Sequence, residues 1–208
     1  MCSHYEAVKD QSHLKSHFML DKVPEGGKLD LWPQYMGQFI RKQGDATSGE
    51  MLIGSFGLIP HWEQDTKIAR NTFNARSETV AEKPSFRDSW KSGRRCIIPA
   101  DAIYEPDWRS GKAVPARISR TDGKPLGIAG LWSVWKSPTG EFIHSYTMLT
   151  INADSHPIMN QFHKPADEKR MVVMLHDDQH MAWLSAETKE CGEFLKEYPA
   201  DMLTAISK

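Results

Sequence analysis

Cysteine is scarce in this 208-residue chain, with three residues at Cys2, Cys96 and Cys191. An odd count at such wide spacing argues against a disulfide framework and points to a reducing compartment. A surplus of charge is missing too: 26 basic against 27 acidic residues leave a formal net charge of −1. No global positive field exists to draw in nucleic acid, so any such binding has to come from a local basic patch. Long hydrophobic runs are also lacking. Met171-Val-Val-Met-Leu175 is far too short to span a bilayer, and the polar start has no apolar region of the signal-peptide type. The expected location is the cytoplasm, with no membrane partner. Repeats and low-complexity tracts are absent. So are a P-loop, a GxGxxG loop and a GxSxG elbow. His13 with His17 and His176 with His180 have the i,i+4 spacing of helical metal ligands. With no cysteine nearby and no HExxH pattern, they read as solvated helix faces, and no metal or cofactor is expected.

What is present is an ordinary globular composition, 39% hydrophobic and 25% charged, enough for one domain with a large core. Turn residues at Pro24-Glu-Gly-Gly27, Gly44-Asp45, Ser110-Gly111, Asp122-Gly123 and Pro138-Thr-Gly140 punctuate the chain. Between them, β-like runs predict strands at 51–59, 94–98, 102–108, 113–119, 126–135, 142–151 and 170–175. A weakly amphipathic stretch predicts a helix over roughly 5–20, with Tyr5, Val8, Leu14 and Phe18 on one side. Two more are expected around 177–185 and 187–197, and a short one from Ser85, three residues before Asp88 in a capping pattern. Many short strands and few helices make an α+β fold: one domain over 1–208, a mainly antiparallel barrel-like sheet with peripheral helices.

The residue with the most specific chemistry is Cys2. Once Met1 is removed, one carbon frame carries a thiol and a primary amine. The amine titrates near pH 8 and the thiol at about 8.5, so both are partly nucleophilic at neutral pH. An amine condenses with an aldehyde to a Schiff base, and a thiol two carbons away can close onto the imine carbon as a thiazolidine. The same residue could serve as an N-terminal nucleophile for amide cleavage. The bland alternative is that cysteine follows Met1 by chance.

Four further features carry chemistry, each with a plainer reading beside it. Asn74-Ala-Arg-Ser-Glu-Thr79 falls between an expected strand and a helix start. A loop there suits an anion, with Arg76 forking onto a phosphate; alternatively it is a cap with an Arg76–Glu78 surface pair. In Cys96-Ile-Ile-Pro-Ala-Asp-Ala-Ile-Tyr-Glu105, the carboxylate sits in a strand that otherwise seeks the core. Facing a cleft, it gains a raised pKa and becomes a proton shuttle; alternating outward, it only meets water. His163, before Lys164-Pro165, is a general acid or base or a phosphate contact, or one of nine unremarkable histidines. Trp62, closing Phe56-Gly-Leu-Ile-Pro-His-Trp62, either stacks on an unpaired base or caps the core.

Taken in order, Cys2, the Asn74–Thr79 string, Ile98-Pro-Ala-Asp-Ala-Ile-Tyr-Glu105 and His163 ahead of Arg170-Met171 resemble the SRAP family, named for "SOS response-associated peptidase". Leu131-Trp132 within Gly127–Trp135 and Thr147-Met-Leu-Thr150 are similar to two further family segments. The resemblance spans residues 2 to about 175. It implies an SRAP-like fold and a sensor of abasic sites in single-stranded DNA. In that reading the freed Cys2 attacks the aldehyde of the ring-opened sugar and forms a thiazolidine crosslink, and the same site removes Met1. Asn74 holds the Cys2 amine or the deoxyribose, Glu105 shuttles protons, and His163 assists ring opening or contacts phosphate. Arg76 grips the adjacent phosphate, Trp62 lines the DNA groove, and Arg170 counts among the DNA contacts. A cysteine peptidase that processes itself, with lyase-like activity, a monomer and a nucleoid location are implied as well.

Departures from the family pattern mark a divergent member. Ser3 and His4 replace a glycine and a DNA-contacting arginine, so phosphate affinity near the nucleophile is expected to be lower and more dependent on pH. Phe56 and Pro106 replace tryptophans, and Leu31-Trp-Pro-Gln-Tyr35 replaces an Asn-bearing segment. Six residues separate His163 from Arg170 where the family has about one. Two alternatives stand beside the sensor: an N-terminal-nucleophile cysteine peptidase acting on other peptides, and a non-catalytic remnant that binds DNA.

Overall fold

The computed structural model describes residues 2–44 and 48–207. Met1, and Asp45 of the expected Gly44-Asp45 turn, lie outside the described residues. In chain order the elements are β1 (His4–Glu6), α1 (Gln11–His17), β2 (Asp30–Leu31), β3 (Met36–Lys42), β4 (Gly49–Phe56), β5 (Asn74–Arg76), α2 (Pro84–Lys91), β6 (Arg95–Ala100) and β7 (Ala102–Asp107). Then follow β8 (Val114–Arg120), β9 (Leu126–Lys136), β10 (Phe142–Asn152), β11 (Arg170–Val172), β12 (Met174–Leu175), α3 (His180–Ser185) and β13 (Leu203–Ser207).

Five of these strands close into a barrel. β10 pairs with β4, β4 with β3, β3 with β6, β6 with β9, and β9 returns to β10. Closure needs long strands that can serve two neighbours. β9 meets β6 through Leu126–Leu131 and β10 through Gly130–Lys136. Gly130 lies where both pairings overlap, and a Cβ there would sit 2.4 Å from the Thr147 carbonyl oxygen and from Ile98. Glycine is what permits the close approach. The pairings are antiparallel except β10 with β4 and with β5, which are parallel. A second, wholly antiparallel sheet runs β13-β8-β7-β1-β2. The α+β, barrel-like expectation is therefore met, with helices at the periphery.

One apolar core joins barrel and sheet, running from Cys2 to Leu203. At the junction Tyr5 of β1 meets Tyr146 of β10 hydroxyl to hydroxyl at 2.5 Å. Phe56 packs edge-on against Tyr5 and stacks on Tyr146. This aromatic cluster seats β1 on the barrel and so fixes where the chain begins.

The strands expected over 51–59 through 142–151 form with ends shifted by a few residues. The N-terminal helix is shorter than expected: β7 and β2 pull residues 4–6 into the sheet, and helix starts only after Asp10, whose carboxylate accepts from Ser12 and His13 N–H. Cross-strand pairing outweighs a weak helical pattern there. The helix expected at 187–197 is reduced to a 3-10 turn, Cys191–Glu193, in a segment interrupted by Gly192. The helix near Ser85 begins at Pro84, a good first helical residue, without a side-chain cap. Strands β3 and β13 gave no clear signal. Gly37 breaks the first, and β13 is mostly exposed with no alternation to read.

Candidate active site

β7 alternates inward and outward, and Glu105 points in with Ile103 and Asp107. Its side chain is 0% exposed. β7 is central in its sheet, paired with β1 on one side and β8 on the other. That pairing brings the chain start alongside: His4 is opposite Tyr104, one residue from Glu105.

Asn74 comes from the barrel side. The segment expected as a loop is the short strand β5, parallel to β10 with Asn74 opposite Met148. β5 buries Asn74 and Ala75 and leaves Arg76 exposed. The Asn74 Nδ2 donates to the Cys2 carbonyl oxygen at 2.7 Å. Its Oδ1 is buried and has no hydrogen-bond partner among the described residues.

His163 is delivered by the segment between β10 and β11, which is stitched to β7 just past Glu105. Phe162 bridges Asp107, and the His163 N–H donates to the Pro106 carbonyl at 2.8 Å. His163 has φ +64, a left-handed conformation that a non-glycine residue adopts only when its surroundings fix it. Lys169 supplies part of that constraint, donating to the carbonyls of Phe162, His163 and Lys164. The His163 Nε2 lies 3.1 Å from Glu105 Oε2.

Burial dominates the electrostatics. It pushes the Glu105 carboxyl up to about 7 and the His163 imidazole down to about 4. It also raises the Cys2 thiol, with the Glu105 charge adding to the effect. The structure thus brings Cys2, Asn74, Glu105 and His163 together, from four separate parts of the chain.

The other singled-out residues are placed differently. Arg76 is 47% exposed and donates to Glu168 at 2.7 Å. Arg170 is buried, held by Glu168 at 2.6 Å, Glu78 at 2.8 Å and Thr150. Glu78 therefore serves Arg170, not Arg76 as a local surface pair predicts. Arg76, His163, Glu168 and Arg170 line one cleft, while His4, Trp32, Tyr104 and Glu105 line another. The two meet at the Glu105–His163 contact. His4 is sandwiched between Trp32 and Tyr104, with centroids at 4.1 and 4.2 Å and rings nearly parallel. Its Nε2 is 2.5 Å from Asp30. Trp62 stands 46% exposed on the turn after Pro60. Asp30, Trp32 and Glu168 were not anticipated. Trp32 was visible only as part of a segment that departs from the family, and Glu168 only as part of the six-residue insertion.

The histidines read as solvated helix faces divide. His17 and His180 are instead largely buried and face each other, because the end of α1 packs against the start of α3. Cys2, Cys96 and Cys191 are free thiols, all buried. No helix among the described residues is long and apolar enough to cross a membrane.

The chain belongs to the SOS response associated peptidase (SRAP) family, whose model matches residues 1–207. Among similar proteins is the abasic site processing protein YoqW of Bacillus subtilis, 30% identical over 99% of this chain and 91% of its own. The abasic site processing protein HMCES of Xenopus tropicalis is 34% identical over 68% of this chain and 48% of its own. A crystal structure from Bordetella bronchiseptica shares 49% identity and a TM-score of 0.92, covering 100% of this chain and 99% of that one. One from Bacteroides thetaiotaomicron, at 20% identity, 99% and 91% coverage and a TM-score of 0.79, shares the fold.

Proposed function

We propose that this protein senses abasic sites in single-stranded DNA and captures them covalently through Cys2 after releasing Met1 in cis. The observation that carries the reading is the convergence on the chain start: Asn74 holds the Cys2 carbonyl, with the buried Glu105–His163 pair beside it. Relatives named as abasic site processing proteins support the substrate class.

The chemistry balances as one aldehyde plus one aminothiol giving a thiazolidine plus water. The Cys2 amine adds to C1 of the ring-opened sugar, and the open Asn74 Oδ1 orients the amine by accepting one of its hydrogens. Glu105, poised near neutrality, gives a proton to the departing hydroxyl as the Schiff base forms. The Cys2 sulfur then bonds to the imine carbon. Its proton returns to the Glu105 carboxylate, and the nitrogen of the protonated Schiff base takes back the C=N electron pair as the ring N–H. As C1–O4′ breaks and the sugar ring opens, neutral His163 accepts the C1 hydroxyl proton and hands it to the released O4′. Arg76, 47% exposed, takes the neighbouring phosphate, and Trp62 offers a stacking face.

Turnover of peptides in trans is less well supported. A working cysteine nucleophile has its pKa lowered, whereas burial raises that of Cys2. The deciding experiment is a denaturing gel of Met-free protein with single-stranded DNA bearing one abasic site. Wild type gives a slow-migrating crosslink and Cys2→Ala none; a Cys2→Ala variant that crosslinks as fully as wild type sinks the proposal.

A further inference from the structure

A second cluster of chemically competent side chains lies outside the Cys2 site. His17 ends α1, Asp177 opens the 3-10 turn Asp177–Gln179, and His180 begins α3. Each offers one donor atom, and the three atoms lie within 4.8 Å of one another. The His17 Nε2 is 3.5 Å from Asp177 Oδ1, without hydrogen-bond geometry. The Nε2 atoms of both histidines are buried, and neither has a hydrogen-bond partner among the described residues. Leaving two imidazole nitrogens unsatisfied away from water is costly, so the arrangement calls for something to fill it.

The supporting residues hold the three in place. Phe18 stacks on the His180 ring with centroids 5.0 Å apart. Beneath it Gly127 leaves room that a side chain would take, since a Cβ there would lie 2.4 Å from His180 Nε2. Arg120 orients the Asp177 carboxylate through two hydrogen bonds, as outer-shell donors do around ligating carboxylates. The Arg120 charge is matched by Asp122 at 2.6 Å. Exposed Lys124, 3.5 Å from the other Asp177 oxygen, can turn to water.

We propose that His17, Asp177 and His180 bind one zinc-class divalent transition-metal ion. Two imidazoles and one carboxylate are the ligand set of such ions; calcium and magnesium prefer sites made of oxygen alone. The fourth position is left to water. Atoms up to 4.8 Å apart have to close to about 3.3 Å around a tetrahedral ion held at about 2 Å from each ligand, a movement within reach of His17 at a helix end. The ion ties residue 17 to residues 177 and 180, joining the N-terminal segment that leads from Cys2 to the C-terminal part of the chain. Its role is to clamp the fold.

The test uses the full chain freed of metal by a chelator, then titrated with Zn2+ alone and with Co2+ alone. One ion binds per chain, and the thermal midpoint rises by about 5–10 °C at a hundredfold excess over Kd. Co2+ gives the visible absorption of a four-coordinate N/O site with no thiolate band. His17→Gln and His180→Gln each weaken binding at least tenfold, while His13→Gln and Cys2→Ala leave it unchanged. Should His180→Gln fail to fold, His17→Gln at the partly exposed helix end decides. No stoichiometric binding by wild type, binding that survives His17→Gln, or binding lost in Cys2→Ala overturns the proposal.

Discussion

A carboxyl and an imidazole 3.1 Å apart form an ion pair only where water or further donors repay the loss of hydration. At Glu105 and His163 burial moves the two groups in opposite directions, to about 7 and about 4. Between those values the pair holds a proton on the acid and none on the imidazole. Because the folded Glu105 value is raised, its contribution to stability is full below pH 4.5 and is lost as pH rises through 7. His163 is the reverse, contributing above pH 6.5 and losing it as pH falls through 4. The two slopes oppose each other across mildly acid pH. Glu105→Gln removes one of them, so the thermal midpoint of the variant, measured against wild type from pH 5 to 9, should gain as pH rises from 5 to about 7 and hold level above that. A constant difference would mean that Glu105 is not titrating there. At Arg76 the partner is Glu168, from the insertion. An incoming phosphate has to displace that carboxylate. Glu168→Gln is expected to tighten binding of undamaged single-stranded DNA by roughly two- to fivefold at low salt, by fluorescence anisotropy, in keeping with an exposed pair worth about 1 kcal/mol or less. Weaker binding would show that Glu168 positions Arg76 and Arg170 and does not screen them.

Among the elements, the turn after β4 has the narrowest tolerance. Gly57 has φ +119, and a Cβ there would lie 1.9 Å from the Ala69 carbonyl oxygen. Its N–H donates to the Tyr146 carbonyl, so the backbone cannot simply move away. Gly57→Ala combines left-handed strain with a backbone clash and is predicted to cost at least about 2 kcal/mol, measured by urea denaturation. A loss under 0.5 kcal/mol would show that the segment relaxes. This turn was partly legible: the strand expected over 51–59 ends at Phe56, just before Gly57-Leu-Ile-Pro60. Strand β5 was not. Three residues with one apolar side chain, Asn74-Ala75-Arg76, carry no period, and only pairing with β10 makes them extended.

At the scale of the whole molecule, several arginines are neutralised in place. Arg41 pairs with Glu50, Arg109 with Asp107, Arg117 with Glu6, and Arg120 with Asp122 and Asp177. With a net charge of −1, little global field exists to gather a polyanion, and the proposed capture of DNA would rest on few phosphate contacts, stacking and the proposed covalent step. Two or three phosphates give a log–log salt slope of about −1.5 to −2 for single-stranded DNA. A slope steeper than about −4 would reveal a basic track beyond Arg76.

Composition, strand spacing and the position of Cys2 directly after Met1 are properties of the chain itself. They determined the α+β class, most of the barrel strands, and the residues able to do chemistry, since covalent structure and local pattern need no folding to be read. Which way Glu105 faces, how far its proton affinity shifts, that Arg170 and Arg76 share an acidic partner, and that His17 meets His180 were decided only by the tertiary structure. Burial and long-range pairing depend on residues from about 60 to 160 positions apart, and no local period encodes them.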